Sequence, residues 1–153
     1  MNIGIMGFGH IGRYIYLLAQ KNPKYKINCI SDVGNPEILH YLLKNESRIN
    51  SEYDIDGNYL ISENGKTRII NGIEPGDVPW DVFEVDWVIE ATGKYLHRDS
   101  LQKHIDSGAK RVVLTTLPED EIDNFIISGI NDNTLSIKDK ILSAGSSTTN
   151  ALA

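Results

Sequence analysis

The sequence is poor in cysteine, in long apolar runs and in positive charge, and each deficit excludes a class of protein. Cys29 is the single cysteine, so the chain forms no intrachain disulfide, as is typical of a reducing cytosol. No apolar run approaches the ~20 residues of a membrane span, and no secretory signal pattern begins the chain. Fifteen Lys and Arg against 21 Asp and Glu give a net charge of -6, which disfavours nucleic acid. We expect a cytoplasmic protein without a membrane partner, a nucleic-acid partner or a metal.

The apolar residues that are present form short runs typical of buried strands. These runs do not alternate with polar residues, which indicates strands covered on both faces. The chain length of 153 residues suits one domain with a real core. The runs are Ile3–Met6, Ile27–Ile30, Trp87–Ile89, Val112–Leu114, Phe125–Ile127 and Ile141–Leu142.

Helical patterns separate several of these runs. The first, from about residue 10 to 20, places Ile11, Ile15 and Leu18 on one face. The second begins with Asn35 as N-cap and Pro36 at the first helical position. A third runs from about residue 99 and ends at the glycine at position 108. Strands that alternate with helices predict a parallel, right-handed, doubly wound sheet.

Residues 48 to 80 interrupt this alternation. Asn64-Gly65 and Asn71-Gly72 are hairpin turn signals between short strand-like segments. We interpret the stretch as an antiparallel β insertion. The predicted fold class is therefore α/β: a Rossmann-type, doubly wound, mostly parallel sheet that carries this insertion.

A glycine turn joins the first predicted strand to the first predicted helix. In the segment Gly7-Phe8-Gly9-His10-Ile11-Gly12, the glycines have the spacing of the dinucleotide-binding fingerprint. The segment also has the context that this fingerprint requires, with a strand before it and a helix after it. The first glycine permits the tight turn, the second lets a pyrophosphate approach the backbone, and the third allows close helix packing. The free N–H groups of the helix start, His10 and Ile11 among them, attract phosphate. The alternative is a glycine turn that serves packing alone.

Asp32 lies twenty residues after Gly12, at the end of the second predicted strand. A carboxylate at this point accepts hydrogen bonds from a ribose 2′-hydroxyl and repels a 2′-phosphate. The following residues contain no arginine that would bind that phosphate. NAD is therefore favoured over NADP. In the alternative interpretation, Asp32 merely ends a strand.

The chain resembles the glyceraldehyde-3-phosphate dehydrogenase family, in segments along its whole length. The family's opening signature contains G-F-G-R-I-G-R. The glycine turn followed by Arg13 matches this signature, except that His10 replaces its first arginine. Ser146-Ser147-Thr148-Thr149-Asn150 resembles the family's active-site motif S-C-T-T-N. Other segments agree in order and spacing: His40–Lys44, Glu90–Tyr95, Gly108–Val112 and Ser128–Asn131.

The resemblance implies that residues 1–153 form the NAD-binding domain and that the family's C-terminal catalytic domain is absent. It adds Thr92, Gly93, Tyr95 and Thr115 to the expected cofactor contacts. It also implies a phosphorylated aldehyde as the substrate of the completed enzyme, and a homo-oligomer. Met6 replaces a family asparagine, and Glu74 lies where the family's adenine-side segment usually carries arginine.

Ser147 occupies the position of the family's nucleophilic cysteine. Serine is far less acidic than cysteine, and a lone hydroxyl without a base is a poor nucleophile. We expect structural or solvent-exposed roles for all four histidines, and therefore no phosphorylating dehydrogenase activity from this chain alone. Ser146 and Thr148 match positions that bind the attacking phosphate in the family, although serine and threonine at a helix start are equally typical caps.

Three functions remain open at this point. The first is the NAD-binding part of an oxidoreductase similar to glyceraldehyde-3-phosphate dehydrogenase. The second is a relative that acts on another phosphorylated aldehyde, such as erythrose 4-phosphate. The third is a non-catalytic module that binds NAD or interacts with other proteins.

Overall fold

The computed structural model describes residues 1–46 and 52–153, which form one nine-stranded sheet flanked by helices. The strands are β1 (Asn2–Met6), β2 (Lys26–Ser31), β3 (Asp54–Asp56), β4 (Tyr59–Ser62), β5 (Gly65–Ile70), β6 (Trp87–Glu90), β7 (Arg111–Leu114), β8 (Asn124–Phe125) and β9 (Ile141–Ser143). The helices are α1 (His10–Gln20), α2 (Pro36–Lys44), α3 (Arg98–Asp106) and α4 (Ser147–Leu152).

The strand order is β3-β4-β5-β2-β1-β6-β7-β9-β8, and all neighbours from β5 to β8 are parallel. From β1 the chain continues outward to β2 and β5, whereas β6, β7 and β9 extend to the other side. The direction of winding therefore reverses between β1 and β6, and such a reversal opens a crevice at the carboxyl ends of the strands. The predicted Rossmann-type fold is confirmed.

The insertion is smaller than predicted and has different turns. Within residues 1–46 and 52–153, only the β3–β4 and β4–β5 pairs are antiparallel, and β5 also pairs in parallel with β2. The hairpin at Asn64-Gly65 is confirmed. The hairpin at Asn71-Gly72 is wrong, because β5 ends at Ile70 and a short 3-10 helix follows at Pro75–Asp77. Residues 48 to 51 of the predicted insertion lie outside the described residues.

Helix α1 has the predicted bounds, but it buries a different face. Its buried residues are Gly12, Tyr16, Leu17 and Ala19. Of the expected apolar stripe, Ile15 is partly buried against the core, whereas Ile11 and Leu18 are 49% and 47% exposed. On the buried face, the Tyr16 ring packs edge-on against Phe8 of the glycine turn, with ring centroids 5.6 Å apart.

The other local predictions hold with small changes. The Asn35 side chain accepts a hydrogen bond from the Ile38 N–H, which confirms it as the N-cap of α2. Helix α3 begins at Arg98 and ends just before Gly108, which adopts a φ of +107°. Cys29 is fully buried in β2, where its thiol is shielded from solvent.

One sheet face remains partly open beside α1. Trp87, Ile89 and Val113 lie on this face in β6 and β7, and they line an apolar groove of about 400 Å³. Parallel sheets are normally covered on both faces, so this groove is an unusual feature of the domain. In the described part of the chain, no helix is both long enough and apolar enough to cross a membrane.

Candidate cofactor-binding site

A cleft of about 230 Å³ opens at the carboxyl ends of β1, β2, β5 and β6. We call it the strand-end cleft. It lies at the point where the winding reverses, which is where open α/β sheets bind ligands. Five of the predicted cofactor residues line it: Gly7, Gly9, Asp32, Thr92 and Tyr95.

The three glycines of the turn have different surroundings. Gly7 has a φ of +90°, and a Cβ at this residue would lie 2.7 Å from the Thr92 nitrogen. A Cβ at Gly12 would lie 2.1 Å from the Gly7 oxygen, so Gly12 permits helix and strand to pack closely. A Cβ at Gly9 would meet nothing within 4 Å. The space above Gly9 is therefore free for a ligand.

The start of α1 faces this space without a side-chain cap. Gly9 is the N-cap and carries no side chain that could accept a hydrogen bond, and the first turn contains no acidic residue. The first N–H groups of a helix have no acceptor within the helix and carry a partial positive charge. His10 and Ile11 contribute two of these groups, and both residues are exposed. An anion can therefore be bound at this end of α1.

An arginine and a glutamate support the glycine turn from behind, and the sequence motif did not indicate this. The Arg13 guanidinium donates to the Phe8 carbonyl at 3.2 Å and to the Glu46 carboxylate at 3.2 Å. His10 Nδ1 lies 3.6 Å from the same Glu46 oxygen. Arg13 and Glu46 are both largely buried, so the pair fixes the turn.

Asp32 lies at the base of the strand-end cleft and is already engaged with the backbone. One carboxylate oxygen accepts from the Phe8 N–H at 2.6 Å, and the other accepts from the Gly34 N–H at 2.8 Å. Each oxygen has a second acceptor position, so a ribose hydroxyl can still donate to this carboxylate.

Of the three predicted cofactor residues that follow β6 and β7 here, Thr92 lines the strand-end cleft, whereas Gly93 and Thr115 do not. Thr92 directs both its N–H and its hydroxyl to the Glu90 carboxylate. Gly93 follows in an exposed turn with a φ of +69°. Thr115 donates its N–H and its hydroxyl to the Glu90 carbonyl, each at 3.1 Å, and it does not line the cleft.

Tyr95 forms the outer wall of the strand-end cleft. Its hydroxyl donates to the Ile73 carbonyl at 2.6 Å. Burial raises the pKa of Tyr95, and the carboxylates of Glu74, Glu90 and Asp77 raise it further. Two lysines lie near these carboxylates, since Lys94 also lines the cleft and Lys103 pairs with Glu74 at 3.4 Å. Sequence reasoning assigned no role to two apolar neighbours on the rim of the cleft, Val33 and Ile73, which are 63% and 65% exposed.

Met6 does not occupy the strand-end cleft. Its side chain is 2% exposed and belongs to the apolar core beneath the cleft. The replacement of the family's asparagine at this position therefore changes the floor of the cleft without closing it.

Ser147 is exposed at the first residue of α4, after β9, and it is separated from β1 by two strands. Ser146 caps α4, because its hydroxyl accepts from the Thr149 N–H at 3.0 Å. Thr148 is exposed on the same turn. The capping interpretation of Ser146 is confirmed.

Each of the four histidines has a partner elsewhere. His10 lies beside Glu46, His40 bonds to the Tyr53 carbonyl, His97 pairs with Glu119, and His104 pairs with Glu90. In residues 1–46 and 52–153, the structure therefore supplies Ser147 with no imidazole base.

The fold, the glycine turn and the strand-end cleft define a dinucleotide-binding α/β domain. Residues 1–98 match the family described as glyceraldehyde 3-phosphate dehydrogenase, NAD binding domain. The whole chain is 38% identical to the glyceraldehyde-3-phosphate dehydrogenase of Buchnera aphidicola subsp. Schizaphis graminum and covers 46% of that protein. It is 35% identical to the cytosolic enzyme of Trypanosoma brucei brucei, with 46% of that protein covered. The enzyme of Geobacillus stearothermophilus is also 35% identical, with 47% covered.

The chain therefore belongs to the glyceraldehyde-3-phosphate dehydrogenase family, and it contains the NAD-binding domain of that family. Its cofactor is NAD. The chain spans about half the length of the curated relatives that it matches.

Proposed function

We propose that the strand-end cleft binds NAD. The chain is then the cofactor domain of an enzyme that oxidises and phosphorylates an aldehyde. The diphosphate is placed on the N–H groups of Gly9, His10, Ile11 and Gly12. The observation that carries the proposal is the open space above Gly9, next to an uncapped helix N-terminus.

The adenosine half of NAD is assigned to the end of the strand-end cleft that contains Asp32. Asp32 accepts from the ribose hydroxyl, and the base lies against the exposed apolar surfaces of Val33 and Ile73. A 2′-phosphate would be repelled at this end, so the proposal includes a preference for NAD over NADP.

We also propose that this chain alone oxidises no aldehyde. Attack on a carbonyl needs an activated nucleophile, and the Ser147 hydroxyl has no base among the described residues. Ser146 and Thr148 are proposed to face the substrate phosphate only when a catalytic domain of the family completes the site.

The apolar groove beside α1 supports the idea that more protein covers the sheet. Trp87, Ile89 and Val113 would be buried when a catalytic domain packs on this face. We propose that the completed protein is a homo-oligomer that acts on a phosphorylated aldehyde in the cytoplasm. The relatives from Trypanosoma brucei brucei and Leishmania mexicana are named cytosolic.

A second candidate function is a non-catalytic NAD-binding module. Ser147 at the family's nucleophile position favours this candidate. A serine without a base does not attack an aldehyde, and its presence does not weaken NAD binding in the strand-end cleft. The two candidates share the strand-end cleft and differ only in turnover.

Two experiments test these proposals in sequence. Calorimetric titration of the chain with NAD and NADP is expected to show one site that prefers NAD, and absence of NAD binding would refute the proposal. The Ser147→Cys variant, combined with a catalytic domain from a relative, is then assayed for NADH formation from glyceraldehyde 3-phosphate and phosphate. Recovered turnover supports the enzyme, whereas tight NAD binding without turnover supports the module. The unaltered Ser147 protein with the same partner is the control.

A further inference from the structure

A buried polar network lies directly beneath the strand-end cleft. Glu90 at the end of β6 and His104 in α3 are both 0% exposed, and so is Trp80. Glu90 Oε2 lies 3.0 Å from His104 Nε2, and Trp80 Nε1 lies 3.1 Å from His104 Nδ1. A carboxylate in an apolar core is costly unless donors surround it, so this arrangement requires an explanation.

The donors in the network define the state of His104. The indole N–H of Trp80 can only donate, so His104 Nδ1 accepts and carries no proton. His104 Nε2 therefore carries the ring proton and donates it to Glu90. The ring is a neutral donor of a single tautomer, and Trp80 selects that tautomer.

The other oxygen of Glu90 controls the turn that borders the strand-end cleft. Glu90 Oε1 accepts from the Thr92 N–H at 2.9 Å and also from the Thr92 hydroxyl. Three donors thus converge on the two oxygens of Glu90, as an ionised, acceptor-only carboxylate requires. Both donors of Thr92 are committed to Glu90, so Thr92 has none left to give to a cofactor.

The turn at Thr92 also contacts the glycine turn. A Cβ at Gly7 would lie 2.7 Å from the Thr92 nitrogen, so the two turns are in direct contact. The path from Trp80 through His104 and Glu90 to Thr92 therefore ends at the wall of the strand-end cleft.

We propose that Glu90 and His104 are positioning residues for NAD binding. They fix the Thr92 turn in the shape that receives the cofactor, and Thr92 contributes a surface to the cleft without donating a hydrogen bond to NAD. The inference rests on the proposed binding of NAD in the strand-end cleft, and it assigns the buried network a role beyond core stability.

The test compares three variants of the chain by NAD calorimetry, at a temperature where circular dichroism shows all of them folded. His104→Gln keeps an N–H donor for Glu90, whereas His104→Leu removes it. We expect NAD affinity close to that of the unaltered chain for His104→Gln and about ten-fold weaker affinity for His104→Leu. Leu101→Ala is the matched control, because Leu101 is a fully buried residue of the same helix. It is expected to lower stability without weakening NAD binding.

Nitrogen NMR of the unaltered chain tests the network without any substitution. The expected spectrum shows the His104 ring with a protonated Nε2 and an unprotonated Nδ1. The variants Thr92→Val and Thr92→Ser provide a second test outside α3. Serine keeps the hydroxyl that donates to Glu90, whereas valine lacks it. The valine variant is therefore expected to bind NAD about ten-fold more weakly than the serine variant.

Several outcomes would overturn the inference. His104→Leu with unchanged NAD affinity would reduce the network to core packing, and equal affinities of the two Thr92 variants would do the same. A His104 ring protonated at Nδ1 would contradict the tautomer. If the unaltered chain binds no NAD, the proposed function fails and the inference fails with it. Normal NAD binding with unaffected variants defeats the inference alone.

Discussion

The Asp32 carboxylate accepts a hydrogen bond from the Phe8 backbone N–H at 2.6 Å, and this bond joins the end of β2 to the glycine turn after β1. Phe8 is 1% exposed, so its N–H has little access to water as an alternative acceptor. Asp32 therefore has two roles. It shapes the turn that is proposed to receive the diphosphate, and it faces the position proposed for the ribose.

Asp32→Ala should weaken NAD binding and the fold together. Loss of the acceptor leaves the Phe8 N–H unsatisfied, which costs about 1–3 kcal/mol of unfolding free energy. The affinity for NAD is expected to fall about ten-fold, and the preference over NADP should narrow. Calorimetry and urea denaturation measure the two effects. The Asp32→Asn control removes the charge and keeps one acceptor oxygen, so one of the two N–H groups, that of Phe8 or that of Gly34, loses its acceptor. Equal affinity of the unaltered chain for both cofactors would contradict the role of Asp32.

Gly9→Val should abolish NAD binding and leave the fold intact. The new side chain would enter open space in the free protein, since a Cβ there meets no atom within 4 Å. It would occupy the position assigned to the diphosphate. Circular dichroism and calorimetry are expected to show a folded protein without NAD binding. Gly12→Val is the contrasting variant, because its Cβ would clash with the Gly7 oxygen at 2.1 Å and unfold the turn. Undiminished NAD binding by Gly9→Val would place the diphosphate elsewhere.

Cys29 should be unreactive in the folded protein. Burial raises its pKa from 9.0 to about 12, against a smaller opposing effect of Arg68. A thiol reagent is expected to modify Cys29 only after denaturation. The unfolded thiol ionises first, so its contribution to stability is present below pH 9.0 and is lost as the pH rises towards about 12. Cys29→Ala should lose less stability across this range than the unaltered chain. Rapid modification of the native protein would show that β2 is accessible.

Asn35→Ala should destabilise α2 by about 1 kcal/mol, because the Ile38 N–H loses its acceptor at the helix start. Thermal unfolding measures the loss. Asn35→Asp is the control, since aspartate also accepts at an N-cap and is favourable near the helix N-terminus. An unchanged melting temperature in the alanine variant would contradict the assigned cap. NAD binding is expected to be unaffected, because Asn35 does not line the strand-end cleft.

The sequence predicted the helix bounds better than the helix faces. The apolar spacing in α1 correctly grouped Ile11 and Leu18 on one side, but that side is half exposed. Periodicity identifies a stripe and does not show which surface will cover it. The most buried side of α1 instead contains Tyr16, whose ring packs against Phe8. The open sheet face next to α1 could not be predicted for the same reason. The local sequence pattern predicts apolar strands but not which of their faces is left without a covering element.

The glycine turn and Asp32 could be predicted because their spacing along the chain follows from one strand–turn–helix unit. The network of Trp80, Glu90 and His104 could not. Its members come from three separate segments, and a glutamate in an apolar strand is a weak signal until its donors are known. The turn at Asn71-Gly72 failed for a related reason, because β5 pairs with β2 and the chain does not return to form a hairpin.

A crystal structure of the chain with NAD tests the central claim most directly. We expect the NAD diphosphate within hydrogen-bond distance of the backbone N–H groups at the start of α1, and the adenosine ribose within hydrogen-bond distance of Asp32. An NAD diphosphate that makes no contact with the N–H groups at the start of α1, or a ribose that makes no contact with Asp32, would contradict this claim.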